Sequence, residues 1–218
     1  MQQLGDGTLI IMHDSDFKRT VGIKKAVWEA KYSEVKDYDG GSYFSNEFAG
    51  EPIPTLEDML KNAKNKIRLM IELKLTGHED STELVNQTLN LIREYDMSHQ
   101  CSIASMNLDI LKRVKELDSR FETVYITPLL FSGQYDEDFI DSYSVETTSV
   151  TREMVFTAHF QGKKVYGWTA NTEASIEKNM RCHVDGLVTD NPELASFYLE
   201  EHGEDLLLNS FIEIYFSK

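Results

Sequence analysis

Three short stretches of this chain combine residue types that suit acid–base or phosphate chemistry. The first is Asp6-Gly7-Thr8-Leu9-Ile10-Ile11-Met12-His13-Asp14, where an apolar run ends in a histidine and an aspartate. Histidine ordinarily titrates closest to neutral pH, so beside a carboxylate it is a candidate proton donor or acceptor. A lone histidine is more often a satisfied turn residue, and it is the place of His13 at a strand end beside Asp14 that puts the two readings on an equal footing. The second stretch is Leu69-Met70-Ile71-Glu72-Leu73-Lys74, in which Glu72 and Lys74 alternate with apolar residues and so share one side of a strand. Two charges turned inward are costly unless paired or bound to an ion. That leaves a plain internal ion pair, or a metal carboxylate beside a phosphate-neutralising lysine. The third stretch ends at Trp168, whose indole N–H needs a partner if the ring is core.

The elements that would position these groups follow from periodicity. Leu9 to Met12 reads as a strand behind an Asp-Gly turn. Lys24 to Tyr38 reads as two short helices, Gly40 to Pro54 as a loop, and Thr55 to Ala63 as a helix capped by Thr55. From there strands and helices alternate. Strands are expected at Ile67–Leu73, Cys101–Ser105, Glu122–Ile126, Ser142–Glu146, Lys164–Trp168 and Gly186–Thr189. Helices are expected at Ser81–Tyr95, Leu108–Leu117, Thr151–Gln161, Thr172–Met180 and Pro192–Glu201. Near-continuous apolar strands alternating with helices predict a parallel sheet covered by helices, a barrel rather than an open sheet, since no Gly-rich phosphate loop follows any strand. In a barrel the chemistry sits at the C-terminal strand ends. Those ends hold His13, Asp14, Glu72, Lys74, Ser105, Glu146, Trp168, Asn171, Thr189 and Asp190. Glu146 suits either a metal or a loop cap. His78, in the loop after Glu72, is placed near the site.

Composition narrows the function classes. Thirty-seven acidic against 22 basic residues give a formal charge of −15, which argues against nucleic acid, whose phosphates need clustered Lys and Arg. Cys101 and Cys182 have no metal-ligand spacing and read as reduced core residues. No signal peptide opens the chain, and no apolar run approaches the ~20 residues that span a bilayer. Asp37-x-Asp39-Gly40 lacks the rest of a calcium loop. The stretch from Ser132 to Asp141 reads as an acidic rim, and His159, His183 and His202 as surface residues.

In order and spacing these motifs resemble the glycerophosphodiester phosphodiesterase family. The resemblance runs from Asp6-Gly7 and His13-Asp14 through Lys18-Arg19-Thr20, Gly41-Ser42-Tyr43-Phe44, Phe48-Ala49-Gly50-Glu51 and Ile53-Pro54-Thr55-Leu56-Glu57. It continues through Ile71-Glu72-Leu73-Lys74 and Gly167-Trp168-Thr169-Ala170-Asn171 to Val184–Pro192. It is most similar to the bacterial form whose catalytic domain follows a membrane-embedded region. The resemblance implies a TIM (β/α)8 barrel over residues 1–218 as one domain. It also implies metal-dependent hydrolysis of glycerophosphodiesters to sn-glycerol 3-phosphate and an alcohol, within lipid and glycerol metabolism. On the same footing His13 and Lys74 are catalytic, Glu72 binds Mg2+ or Ca2+, Trp168 walls the glycerol moiety and Asp14 contributes to substrate binding.

The family's H-R-G, E-N-T and E-x-D motifs have no counterpart ahead of Asp6. The expectation is therefore an N-terminally truncated barrel, without its first strand and part of its second unit, and weak or inactive as written. The alternative is a non-catalytic remnant that binds phosphate ligands or a partner protein. A small-molecule glycerophosphodiester is the expected partner. The chain as written is expected in the cytoplasm, and a full-length parent at the membrane. Head group, choice of metal and oligomeric state stay open.

Overall fold

The computed structural model describes residues 1–130 and 137–201, in two compact units, Met1–Thr123 and Val124 onward. The Ser132–Asp141 rim lies partly, and His202 and the apolar stretch Leu206–Phe216 wholly, outside the described residues.

The first unit opens with an antiparallel hairpin, β1 (Gln2–Gln3) on β2 (Leu9–Ile10), with Gln2 opposite Ile10. Gly7 turns it at φ 89°, a conformation that costs a residue without Cβ little. The expected Leu9–Met12 strand is thus shorter than its apolar run, and antiparallel. The cause is Pro54. Ile11 N–H donates to the Pro54 carbonyl at 2.9 Å, but a proline has no N–H to return, so the ladder stops. The chain nevertheless stays buried, between two apolar clusters. Leu9 and Ile11 pack into one, built on Leu56, Leu60, Ile71, Leu84 and Ile103. Ile10 and Met12 pack into the other, with Leu4, Phe17, Val27, Val35 and Ile53. The alternation of faces is that of a strand and continues past the last paired residue, Ile10.

Helices α1 (Lys18–Val21) and α2 (Tyr32–Val35) and two 3-10 turns, Val27–Glu29 and Asn46–Phe48, occupy the segment that the second cluster stabilises. The two short helices expected over Lys24–Tyr38 are the Val27 turn and α2, whereas α1 has no sequence signature. Helix α3 (Leu56–Ala63) begins with a capping box: Asp58 N–H donates to Thr55 Oγ1 at 3.1 Å, and Thr55 N–H to Asp58 Oδ2 at 3.0 Å. Its buried face is Leu56, Leu60 and Ala63, at helical spacing. Then come β3 (Leu69–Glu72), α4 (Ser81–Glu94), β4 (Cys101–Ser105) and α5 (Leu108–Leu117), with β3 and β4 parallel and Glu72 opposite Ala104. Asp80 caps α4 and Asn107 caps α5 through backbone N–H groups. The expected strand from Ile67 starts two residues later, because Ile67 is exposed and its N–H still bonds back to Ala63.

The second unit takes all but the first two residues of β5 (Glu122–Thr127), followed by β6 (Ser142–Glu146), α6 (Arg152–Phe160), β7 (Lys164–Trp168), α7 (Glu173–Arg181), β8 (Gly186–Leu187) and a helix over 192–201. Its strands are parallel, β5 beside β6, β6 beside β7 and β7 beside β8. Gly167 lies against α7, where a Cβ would fall 1.9 Å from Asn179 Oδ1. Ala170, Ile176 and Ala195 close a small core. Among the described residues no helix is long and apolar enough to cross a membrane.

Because the Thr55 hydroxyl and Asp58 carboxylate satisfy N–H groups that α3 leaves open, Thr55→Ala is expected to destabilise the protein by about 1 kcal/mol. Urea unfolding checks this. Thr55→Ser should keep most of the stability, and equal losses in both variants would show that the cap does not carry it.

Candidate active site

His13 follows the extended segment directly and sits in a bend. What fixes that bend is Gln2. Its side chain, almost wholly buried, donates through Nε2 to the carbonyls of Met12, His13 and Asp14 at 3.1, 3.0 and 2.6 Å. Three successive carbonyls drawn to one nitrogen leave the two side chains outside, and the His13 ring is 73% exposed. The histidine is therefore presented by a clamped turn rather than by a strand tip.

Asp14 joins His13 to a cation. Its Oδ1 lies 2.9 Å from His13 Nδ1, and it accepts from Arg19 Nε at 2.5 Å and Arg19 Nη2 at 3.0 Å. Arg19, on α1, also donates from Nη1 to the Tyr43 hydroxyl at 3.0 Å. The Arg19 hydrogen bonds, and then the His13 contact, hold the Asp14 carboxyl at about 2, below the usual carboxylate range. Sequence reasoning carried Arg19 and Tyr43 only as parts of longer motifs and missed Gln2. A polar residue directly opposite Ile10, on a hairpin face that must be buried, was the available signal.

Glu72 and Lys74 are a quarter exposed, with Lys74 Nζ 3.6 Å from Glu72 Oε2. The ion-pair reading of their alternation therefore stands as geometry. Glu72 at the end of β3 lines a cleft of about 240 Å³ together with His13, Met12 and Leu56. A second cleft, of about 420 Å³, is lined by His13, Arg19, Phe44, Phe48 and Glu51 among others. The structure thus brings His13, Arg19 and Glu72 to adjoining clefts of one unit, with Asp14 bonded to His13 and Arg19 and Lys74 held by Glu72.

The donors for a divalent cation are fewer than the motif implied. A hard cation takes about six oxygens, and among the described residues no three His, Cys, Asp or Glu gather around Glu72 or elsewhere. The described residues do not by themselves fit Mg2+ or Ca2+.

The remaining strand-end residues have local roles. Ser105 Oγ donates to Leu73 O at 2.8 Å. Glu146 caps the turn Thr147–Ser149, accepting from Thr148 N at 2.9 Å, so its cap reading is the one the geometry realises. In the second unit Trp168 Nε1 donates to Ser144 O at 3.0 Å, the partner a packed indole requires. Asn171 bridges Thr189 and Asp190. His78 stacks on Trp28 at 4.2 Å, and His159 pairs with Asp185 at 2.8 Å. Asp39 accepts from the Gly41 and Ser42 N–H groups, a turn cap rather than a calcium-loop residue.

Comparison with known proteins supplies the frame for this site. The model of the glycerophosphoryl diester phosphodiesterase family matches residues 1–194. The Bacillus subtilis protein YhdW is 29% identical over 199 residues, covering 88% of this chain and 81% of its own. A glycerophosphodiester phosphodiesterase of Caldanaerobacter subterraneus is 28% identical over 201 residues, with coverage of 88% and 81%. Among solved structures, an Oleispira antarctica phosphodiesterase in complex with the product sn-glycerol-3-phosphate superposes with a TM-score of 0.84 at 22% identity, covering 91% of this chain and 82% of that one. A glycerophosphodiester phosphodiesterase from Parabacteroides distasonis gives 0.78 at 23%, covering 93% and 84%. These likenesses establish the fold as that of the family's TIM barrels. The run of motifs from Asp6-Gly7 to Val184–Pro192 lies within the matched residues, and the chain belongs to the glycerophosphoryl diester phosphodiesterase family.

Proposed function

We infer that this chain binds the phosphate of a glycerophosphodiester beside His13 and takes part in its hydrolysis to sn-glycerol 3-phosphate and an alcohol. The observation that carries this reading is the position of His13, where a cleft lined by Glu72 meets a cleft lined by Arg19. Three of the five guanidinium N–H groups of Arg19 are used, two by Asp14 and one by Tyr43. The other two have no partner among the described residues and suit a phosphate oxygen. Lys74, held by Glu72, supplies a second cation.

The protonation pattern follows from Asp14. An ionised carboxylate only accepts hydrogen bonds, so the hydrogen between the two groups belongs to His13 Nδ1. Nε2 is then the ring atom that exchanges a proton with the leaving or attacking oxygen. The folded-state titration of Asp14 is depressed to about 2. Its contribution is therefore present above the ordinary carboxylate range and lost only as pH falls toward that value. Asp14 orients the ring throughout the neutral range.

A second reading, phosphate binding without appreciable turnover, is favoured by one observation. Among the described residues no group of three or more His, Cys, Asp or Glu that could hold a cation includes Glu72, and a phosphodiester without strong charge neutralisation reacts slowly.

Four outcomes test these readings. Nitrogen NMR of His13 should show the Nδ1–H tautomer in the neutral ring, with the preference lost in Asp14→Asn. An unchanged tautomer would remove Asp14 from the mechanism. Titration calorimetry should detect sn-glycerol 3-phosphate binding that weakens in Arg19→Met and Lys74→Met. Any release of sn-glycerol 3-phosphate from glycerophosphocholine should fall about 10²–10⁴-fold in His13→Ala. Absence of both binding and turnover would sink both readings. Thermal unfolding should show no rise in Tm with Mg2+ or Ca2+, since stabilisation by a ligand requires a folded-state site for it. A rise would mean that more ligands gather than Glu72 alone.

A further inference from the structure

The loop between Asp39 and Pro52 is built with more constraint than a connection needs. Its ends are joined by a bridge between Asp39 and Pro52 and by a 2.9 Å bond from Gly40 N to Glu51 O. The Asp39 carboxylate takes the Gly41 and Ser42 N–H groups and the Ser42 hydroxyl. Ser45 caps the turn Asn46–Phe48, and Glu51 N bonds Phe48 O at 3.1 Å. Gly41 permits the close approach on which all of this depends. A Cβ there would fall 2.0 Å from Phe48 O and 2.8 Å from Glu51 Cβ.

This constraint holds apolar rings in water. Phe44 is 79% and Phe48 45% exposed, with ring centroids 5.7 Å apart and planes inclined at 56°. A rigid loop that displays two phenyl rings rather than burying them points to a ligand. Both rings line the 420 Å³ cleft, together with the carboxylate of Glu51, and His13 and Arg19 line it as well. That volume falls within the roughly 300–1,000 Å³ of small-molecule pockets.

The pattern of charges selects the occupant. Aromatic faces attract a cation through the ring quadrupole, and a carboxylate adds to that attraction. An acyl chain has no use for Glu51, and a polyol has little for two phenyl faces. Arg19 offers the opposite charge in the same cleft. We propose that the Phe44–Phe48–Glu51 side of this cleft receives a quaternary ammonium group on the leaving alcohol, selecting choline-type glycerophosphodiesters. This rests on the reading that the phosphate binds beside His13 and Arg19.

Calorimetry on the whole chain tests it with four probes: sn-glycerol 3-phosphate, choline, glycerophosphocholine and glycerophosphoglycerol. Glycerophosphocholine should bind about 5-fold more tightly than glycerophosphoglycerol, the scale expected of a cation against two exposed rings. Phe48→Ala and Glu51→Gln should each erode that preference and leave glycerophosphoglycerol and sn-glycerol 3-phosphate binding unchanged. Both replaced side chains are exposed, so the fold should tolerate them. Equal affinity for the two diesters, with sn-glycerol 3-phosphate still bound, would overturn the cleft assignment and leave the phosphate site standing. Choline binding that depends on Phe48, without sn-glycerol 3-phosphate binding, would keep the cleft and overturn the phosphate site. Binding of none of the four probes would overturn both.

Discussion

The two N–H groups of the buried Gln2 carboxamide, shared among three carbonyls, set everything downstream of them in the site. They turn the carbonyls of Met12, His13 and Asp14 inward, so the side chains that follow are fixed in direction without being packed. An exposed histidine ordinarily samples many orientations, and holding one costs rotamer entropy. Here the cost is met by backbone bonds made below the ring and by the Asp14 contact beside it. The arrangement requires the hairpin, because Gln2 reaches those carbonyls from its position opposite Ile10. It requires the two apolar clusters as well, because Leu9 and Ile11 anchor one side of the segment and Ile10 and Met12 the other.

What could be read from the sequence and what could not divide along this dependence. The strand–helix alternation from Leu69 to Leu187 follows local periodicity and capping, which a sequence displays directly. Thr55 and Asn107 cap the helices that their positions predict. The Leu9–Met12 run was legible as an extended apolar segment but not as a two-residue strand, because its ladder depends on which residue lies opposite, and that residue is a proline 43 positions on. Glu72 and Lys74 were legible as a pair, since alternation puts them on one face. Gln2 and Arg19 were not legible as site residues. Their roles depend on the folding of the segment between Leu4 and Ile53, and a glutamine and an arginine carry no periodicity of their own.

The His13 side of the site is a relay of neighbours, each of which restrains the next. Tyr43 holds Arg19, Arg19 holds Asp14 by two bonds, and Asp14 holds the ring. The forked geometry of the guanidinium suits this, since a lysine could not engage both carboxylate oxygens and the phenol in fixed directions. A like restraint operates at Lys74, whose ammonium is kept near the site by Glu72. In neither case is the ion pair a strong source of stability, because all these groups retain contact with water and exposed pairs contribute about 0–1 kcal/mol. Their value is positional.

That pairing also sets the charge balance that an incoming anion meets. With a neutral imidazole, Arg19 is offset by Asp14 and Lys74 by Glu72, so the group carries no net charge within a chain of formal charge −15. A phosphodiester brings one negative charge into this neutral group. Protonation of the ring at His13 would neutralise it, and Asp14 is already placed to stabilise the imidazolium that results. If a phosphodiester binds beside His13 as proposed, binding and protonation of the ring favour one another, by the reciprocity that governs any two ligands of one site. The proton that binding recruits rests on Nε2, the ring atom turned away from Asp14. On that reading the binding equilibrium would place a transferable hydrogen on the ring atom that Asp14 leaves free.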